Sequence, residues 1–186
     1  MQRWAKGPSY WLTPLTVEMG YQISHTEDLP SMKPIFVALA TGFYVGKSPY
    51  FPGTCGTLVA LPIVWILNQL GPLSYLVITF VSIIGATYVA EMYEVYHNRH
   101  DRPEVVIDEI VGFMVTMTLI PQTAITLLTG FILFRILDMV KPFPISYFDK
   151  HVSGGYGVVM DDLVAGLIAN LILQYLVLRT TWLGVF

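Results

Sequence analysis

Long hydrophobic runs alternate with short polar segments along most of the chain. Glycine, proline and charged residues interrupt the runs and leave five candidate helices, at about 54–70, 73–96, 105–120, 122–140 and 158–178. Several approach the roughly 20 residues that an α-helix needs to cross the hydrocarbon core of a bilayer. The pattern therefore predicts an all-α, multi-pass membrane bundle of about four to five helices.

Pro121 lies in the middle of residues 105–140, which could otherwise form one continuous helix. Such a helix would be about 54 Å long, whereas the hydrocarbon core is about 30 Å thick. We therefore expect the chain to reverse near Pro121 rather than merely kink there. Five helices would then run in alternating directions.

Charge sorts to one side of this arrangement. The chain is 54% hydrophobic and 12% charged, far more apolar than a typical soluble domain. Nine of the ten Lys and Arg residues lie on or near one side, and only Arg179 lies on the other. The positive-inside rule makes the first side cytoplasmic. All 13 Asp and Glu residues fall toward that side too, which predicts a one-sided polar site. The net charge of −3 excludes a basic surface for nucleic acid.

Carboxylates recur at the helix ends on this side. Asp108 and Glu109 begin a helix in "EVVIDEIVGFMV", Asp138 lies near the end of another, and Asp161 and Asp162 begin the last helix in "GGYGVVMDDLVAG". Below the last pair, a stripe of small and polar residues indicates a face that packs against protein (Ala165, Gly166, Ala169 and Asn170). The carboxylates should therefore point inward.

A divalent metal would explain this cluster. Arg135 could pair with Asp138 three residues later, but Arg135 and Lys141 together cannot balance five carboxylates. Oxygen ligands without a set of cysteines or histidines favour magnesium over zinc. The pattern thus predicts that the carboxylates bind Mg²⁺ at the membrane face.

The segment "TGFYVGKSPYFPGTCGTL" leads into a helix whose first turn contains Thr54 and Thr57. Free backbone N–H groups and the helix dipole make such a start a natural anion site, and hydroxyls add donors. An ordinary capped helix is an equally good interpretation. Lys47, in the same loop, is a further candidate for substrate binding.

Four motifs together resemble the bacterial phosphatidylglycerophosphatase A family: "GKSPYFPGTCGTL", "VVIDEIVGF", "FRILDMVKPFPI" and "GGYGVVMDDLVAG". The resemblance covers about residues 34–178, so we expect a membrane domain at 34–180 that follows an N-terminal arm of unknown role at 1–33. It implies a Mg²⁺-dependent lipid phosphatase of the bacterial inner membrane, with its active site facing the cytoplasm. Its substrate would be the phospholipid phosphatidylglycerophosphate, converted to phosphatidylglycerol and phosphate.

The resemblance also carries residues onto this chain. The catalytic candidates are Asp108, Glu109, Asp138, Asp161 and Asp162, of which Asp108, Glu109, Asp161 and Asp162 are the metal ligands. The substrate-binding candidates are Lys47, Thr54, Thr57, Arg135 and Lys141.

Two alternatives stay open at this point. Water could attack the phosphate directly, or an aspartyl-phosphate could form first. A small transporter or ion pathway is the alternative function, because carboxylates inside a membrane also mark such pathways. The oligomeric state cannot be read from the sequence.

Overall fold

The computed structural model describes residues 33–97, 102–152 and 154–179. They form seven α-helices and no β-strand: α1 (Lys33–Ala40), α2 (Pro52–Gln69), α3 (Pro72–His97), α4 (Ile107–Thr116), α5 (Ala124–Val140), α6 (Ile145–His151) and α7 (Gly155–Arg179), with a 3-10 turn at Val45–Lys47. The all-α prediction is confirmed. The predicted arm lies outside the described residues except for Lys33, so the division at residue 33 stays a prediction.

The five predicted helices correspond to α2, α3, α4, α5 and α7, whereas α1 and α6 were not predicted. The largest difference is α4, which was expected to reach residue 120 but ends at Thr116. The Asn170 side chain of α7 explains this end, because its amide donates hydrogen bonds to the carbonyls of Thr116 (2.9 Å) and Thr118 (2.8 Å). A side chain from a distant helix thus satisfies acceptors that the end of α4 leaves free.

The short helix α4 forms the centre of the bundle and packs against α2, α3, α5 and α7. Its closest approach is to α7, where a Cβ atom added to Gly166 would lie 2.4 Å from the carbonyl oxygen of Gly112. Only glycine permits this backbone contact. The small stripe on α7 therefore packs against protein, as predicted.

Two of the described helices, α3 and α7, are long and apolar enough to cross a membrane. Only 28% of the apolar window of α3 is buried within the protein. Large apolar side chains such as Phe80, Val81 and Ile84 are exposed on its surface. An apolar surface of this extent suits lipid better than water, which indicates a membrane-associated protein.

Candidate active site

A cavity of about 460 Å³ opens where the starts of α2, α4 and α7 meet the ends of α3 and α5. Its lining includes six carboxylates, from Glu94, Asp108, Glu109, Asp138, Asp161 and Asp162, and three cations, from Arg102, Arg135 and Lys141. Helices that run in alternating directions thus bring polar residues from four separate sequence motifs to one end of the bundle. The sequence predicted this convergence.

Three of these carboxylates form a tight group. Asp108, Glu109 and Asp162 each offer an oxygen atom, and these atoms lie within 4.8 Å of one another. Asp108 and Asp162 are buried, and the glycine contact between α4 and α7 holds their helices together. Buried oxygen atoms of Glu109 (Oε2) and Asp162 (Oδ1) make no hydrogen bond to any residue that the structure describes.

Arg135 borders this triad on one side. Its Nη1 atom donates to Asp138 Oδ2 at 2.8 Å and lies 3.9 Å from Glu109 Oε1. The backbone at Gly53 packs against Glu109 and Arg135, since an added Cβ would lie 2.1 Å from Glu109 Oε1 and 3.0 Å from Arg135 Nη2. Arg135 therefore fixes two carboxylates in place, and the first turn of α2 packs against Arg135 and Glu109.

Lys141 borders the cluster from the end of α5. Its Nζ atom donates to Asp161 Oδ2 at 2.5 Å, and both residues line the cavity. The neighbouring carboxylate, Asp162, belongs instead to the triad. The predicted metal ligands therefore divide into two groups, with Asp108, Glu109 and Asp162 in the triad and Asp161 beside a cation.

The arrangement suits a hard divalent cation. The lining holds twice as many carboxylates as cations, and the buried Glu109 Oε2 and Asp162 Oδ1 atoms have no hydrogen bond to the residues described. Buried charges are ordinarily paired or bound to a metal. A set of oxygen atoms alone is the ligand chemistry of hard cations, of which magnesium is one. The triad residues could therefore hold the ion, and its presence stays a prediction.

Three predicted substrate-binding residues do not line the cavity. The Thr57 hydroxyl donates to the carbonyl of Gly53 at 2.9 Å within α2, and the Lys47 ammonium lies 5.0 Å from the centre of the Tyr44 ring. Thr54 is only partly buried in the first turn of α2. Their role in substrate binding stays a prediction, whereas Arg135 and Lys141 do face the cavity.

Sequence reasoning missed several residues of the lining, including Phe51, Gly53, Glu94 and Arg102. The Pro52-Gly53 pair at the start of α2 was a usable signal for the first two, because it marks a close backbone approach. Glu94, near the end of α3, is buried and faces the cavity. No local pattern distinguishes such a residue.

Glu91, in the same helix as Glu94, has a structural contact of its own. Its Oε2 atom accepts a hydrogen bond from the backbone N–H of Gly155 at 2.6 Å. Because Gly155 is the first residue of α7, this carboxylate occupies the positive end of the helix dipole. Glu91 thus fixes the start of the helix that carries Asp161 and Asp162.

Comparison with known proteins identifies relatives of the chain. A family model described as phosphatidylglycerophosphatase A matches residues 38–177. A protein of that name from Escherichia coli (strain K12) is 37% identical over 139 residues, which is 74% of this chain and 81% of the relative. Its counterpart from Haemophilus influenzae is 34% identical over 136 residues, covering 72% of this chain and 83% of the relative.

A third relative, a putative phosphatidylinositol-3-phosphatase from Bacteroides thetaiotaomicron, is 35% identical over 147 residues, covering 74% of this chain and 89% of the relative. No solved structure matches the chain. The relatives are named as phosphatases, which supports an enzyme over the alternative of an ion pathway. With a family match over most of its length and the four motifs assembled around one cavity, the chain belongs to the phosphatidylglycerophosphatase A family.

Proposed function

We propose that this protein removes the terminal phosphate from phosphatidylglycerophosphate and leaves phosphatidylglycerol in the membrane. The observation that carries the proposal is the triad of Asp108, Glu109 and Asp162, assembled on a cavity at one end of an apolar bundle. A phosphomonoester could reach the carboxylates at this end while the rest of the lipid stays among apolar side chains. The names of the two relatives supply the substrate.

The triad would hold Mg²⁺, which when bound offsets negative charge on the phosphoryl oxygens. Water attacks phosphorus, the phosphorus–oxygen bond to glycerol breaks, and the glycerol oxygen takes up a proton. A carboxylate of the cluster orients the attacking water and accepts its proton. Asp138 and Asp161 are the candidates for this step, because both line the cavity and neither belongs to the triad.

Two cations of the cavity, Arg135 and Lys141, act chiefly on the carboxylates. Arg135 holds Glu109 and Asp138 in position, and Lys141 offsets the charge of Asp161. Side chains locked by such contacts keep the ligands in a fixed geometry, which metal sites require. Lys141 is the more exposed of the two cations, with 32% of its side chain accessible, and is better placed to approach a phosphoryl oxygen.

For the membrane, we propose a multi-pass topology in the bacterial inner membrane with the cavity facing the cytoplasm. The helices α3 and α7 have the length and hydropathy for full crossings, and α2 and α5 run beside the central helix α4. The excess of Lys and Arg toward the cavity end supports the orientation.

The test is phosphate release by the purified protein from phosphatidylglycerophosphate in mixed micelles. We expect turnover in Mg²⁺, its loss in EDTA, and its return when Mg²⁺ is restored in excess. Phosphatidic acid and a phosphatidylinositol 3-phosphate serve as comparison substrates, since one relative is named for the latter headgroup.

Each outcome bears on a different part of the proposal. Activity on a comparison lipid but not on phosphatidylglycerophosphate would overturn the substrate assignment and leave the proposed chemistry in place. Undiminished turnover in chelator would exclude the metal from the proposed mechanism. No phosphate release from any of the three lipids would overturn the proposed function itself.

A further inference from the structure

Phe51 stands at the mouth of the cavity, where it combines two unusual properties. It lines the cavity, yet 71% of its surface is exposed. Its backbone is left-handed, with φ of 49° and ψ of 57°. Large residues rarely adopt this conformation, and where they do so the strained positions cluster at functional sites. Neither burial in a core nor an easy backbone conformation explains an aromatic ring at this position.

The backbone that carries the ring is held close to the carboxylates. Phe51 is the residue before α2, and Pro52 begins that helix with a fixed φ. The Phe51 carbonyl accepts a hydrogen bond from the backbone N–H of Cys55 at 3.1 Å. Two residues along, Gly53 packs against Glu109 and Arg135. The backbone position of Phe51 is therefore coupled to the triad through the short segment that joins it to Gly53.

Further exposed apolar side chains adjoin a second residue of the cavity lining. Lys141 lines the cavity at the end of α5, and its neighbours Met139, Val140 and Phe143 are all strongly exposed. When the phosphate of a lipid substrate reaches the triad, the rest of the lipid would extend out of the cavity past this apolar surface. This surface fits acyl chains and the glycerol backbone that carries them, whereas a water-soluble phosphate ester has nothing to place there.

We infer that the Phe51 ring is a specificity-determining residue, which contacts the diacylglycerol portion of the substrate and favours membrane-embedded phosphomonoesters over water-soluble ones. The inference rests on the proposed function and deepens it. The ring acts in substrate binding and does not touch the reacting phosphate. Its removal should therefore raise KM for the lipid and leave kcat near the parental value.

Phe51→Gly separates the ring from the backbone conformation. Glycine adopts a left-handed conformation without strain, so the variant should unfold at about the parental temperature. Loss of apolar contact by one aromatic ring should raise KM for phosphatidylglycerophosphate in mixed micelles about tenfold. Asparagine also adopts the left-handed conformation, and its side chain is polar. Phe51→Asn should therefore raise KM as Phe51→Gly does. Phe51→Trp keeps an apolar ring and should retain a near-parental KM.

Phe43 provides a matched control on the same protein. It is also a left-handed phenylalanine, with φ of 57° and 70% of its surface exposed, but it does not line the cavity. Phe43→Gly removes an equally exposed ring and relieves the same kind of backbone strain. Its KM should stay within about twofold of the parental value, because Phe43 does not line the cavity. A loss of general attraction to the membrane would instead raise KM alike in both variants.

The outcomes are distinct. A parental KM for Phe51→Gly, an equal rise for Phe43→Gly, or a Phe51→Trp variant as weak as Phe51→Asn would each overturn the inference while the parent stays active. If Phe51→Gly failed to fold, the comparison of Asn with Trp would decide. A parent protein that released no phosphate from the lipid would overturn the proposed function and this inference together.

Discussion

Asp161 and Asp162 are adjacent in the sequence but have different partners in the structure. Successive residues of an α-helix point about 100° apart, so the two side chains leave α7 in different directions. Asp162 belongs to the triad with Asp108 and Glu109, whereas Asp161 accepts a hydrogen bond from the Lys141 ammonium. The pair "DD" thus combines a candidate metal ligand with a carboxylate whose charge is already offset.

At this scale we predict that Asp162→Asn abolishes most of the activity. The substitution keeps the shape of the side chain but removes one charged ligand, which should lower kcat/KM about 10²-fold and raise the Mg²⁺ concentration for half-maximal activity. Gln174→Ala is the control, because Gln174 lies three turns further along α7 and bonds to Asn170 rather than to the cavity. Equal activity of Asp162→Asn and the parent in phosphate release would show that the triad serves structure alone.

The contact between α4 and α7 determines the geometry of the site at the level of elements. Asp108 and Glu109 belong to one helix and Asp162 to the other, and the two backbones touch at Gly112 and Gly166. A change in the separation of these helices changes the distances within the triad directly. Helix packing and metal affinity are therefore linked in this protein.

Gly166→Ala tests that link. The new Cβ would lie 2.4 Å from a backbone oxygen that cannot rotate away, so the helices must separate, at a cost of about 1–3 kcal/mol in the free energy of unfolding. We expect a lower thermal unfolding temperature in detergent and a weaker response to Mg²⁺. Gly85→Ala in α3 is the matched control, since a Cβ there meets no atom within 4 Å and alanine favours a helix by about 1 kcal/mol. Similar behaviour of the two variants would contradict the proposed coupling.

For the whole molecule, the sequence was informative where hydrophobic runs end. It predicted five of the helices to within a few residues at most boundaries and indicated that their polar ends would meet. It did not predict the end of α4 at Thr116, because Asn170, which bonds that end, lies 54 positions later. It also could not show that Gly53 packs against Glu109 and Arg135, because that close approach depends on how α2 and α4 pack.

The proposed orientation can be tested on intact cells. In a Cys55→Ser background, a cysteine at the exposed position 151 should react with a membrane-impermeant maleimide only after the inner membrane is permeabilised, because it lies near the cavity end of the bundle. A cysteine at the exposed position 69, at the far end of α2, should react once the outer membrane alone is opened. The opposite labelling pattern would invert the topology.

The dependence of α4 on α7 has a consequence for biosynthesis. A ribosome makes the chain from the amino terminus, so α4 is complete long before Asn170, Gly166 and Asp162 exist. Until α7 is released, the carbonyl groups at the end of α4 lack their amide donor and the carboxylate triad lacks a member. A nascent or prematurely terminated chain therefore has no assembled site, and the protein becomes competent only when its last helix has been synthesised.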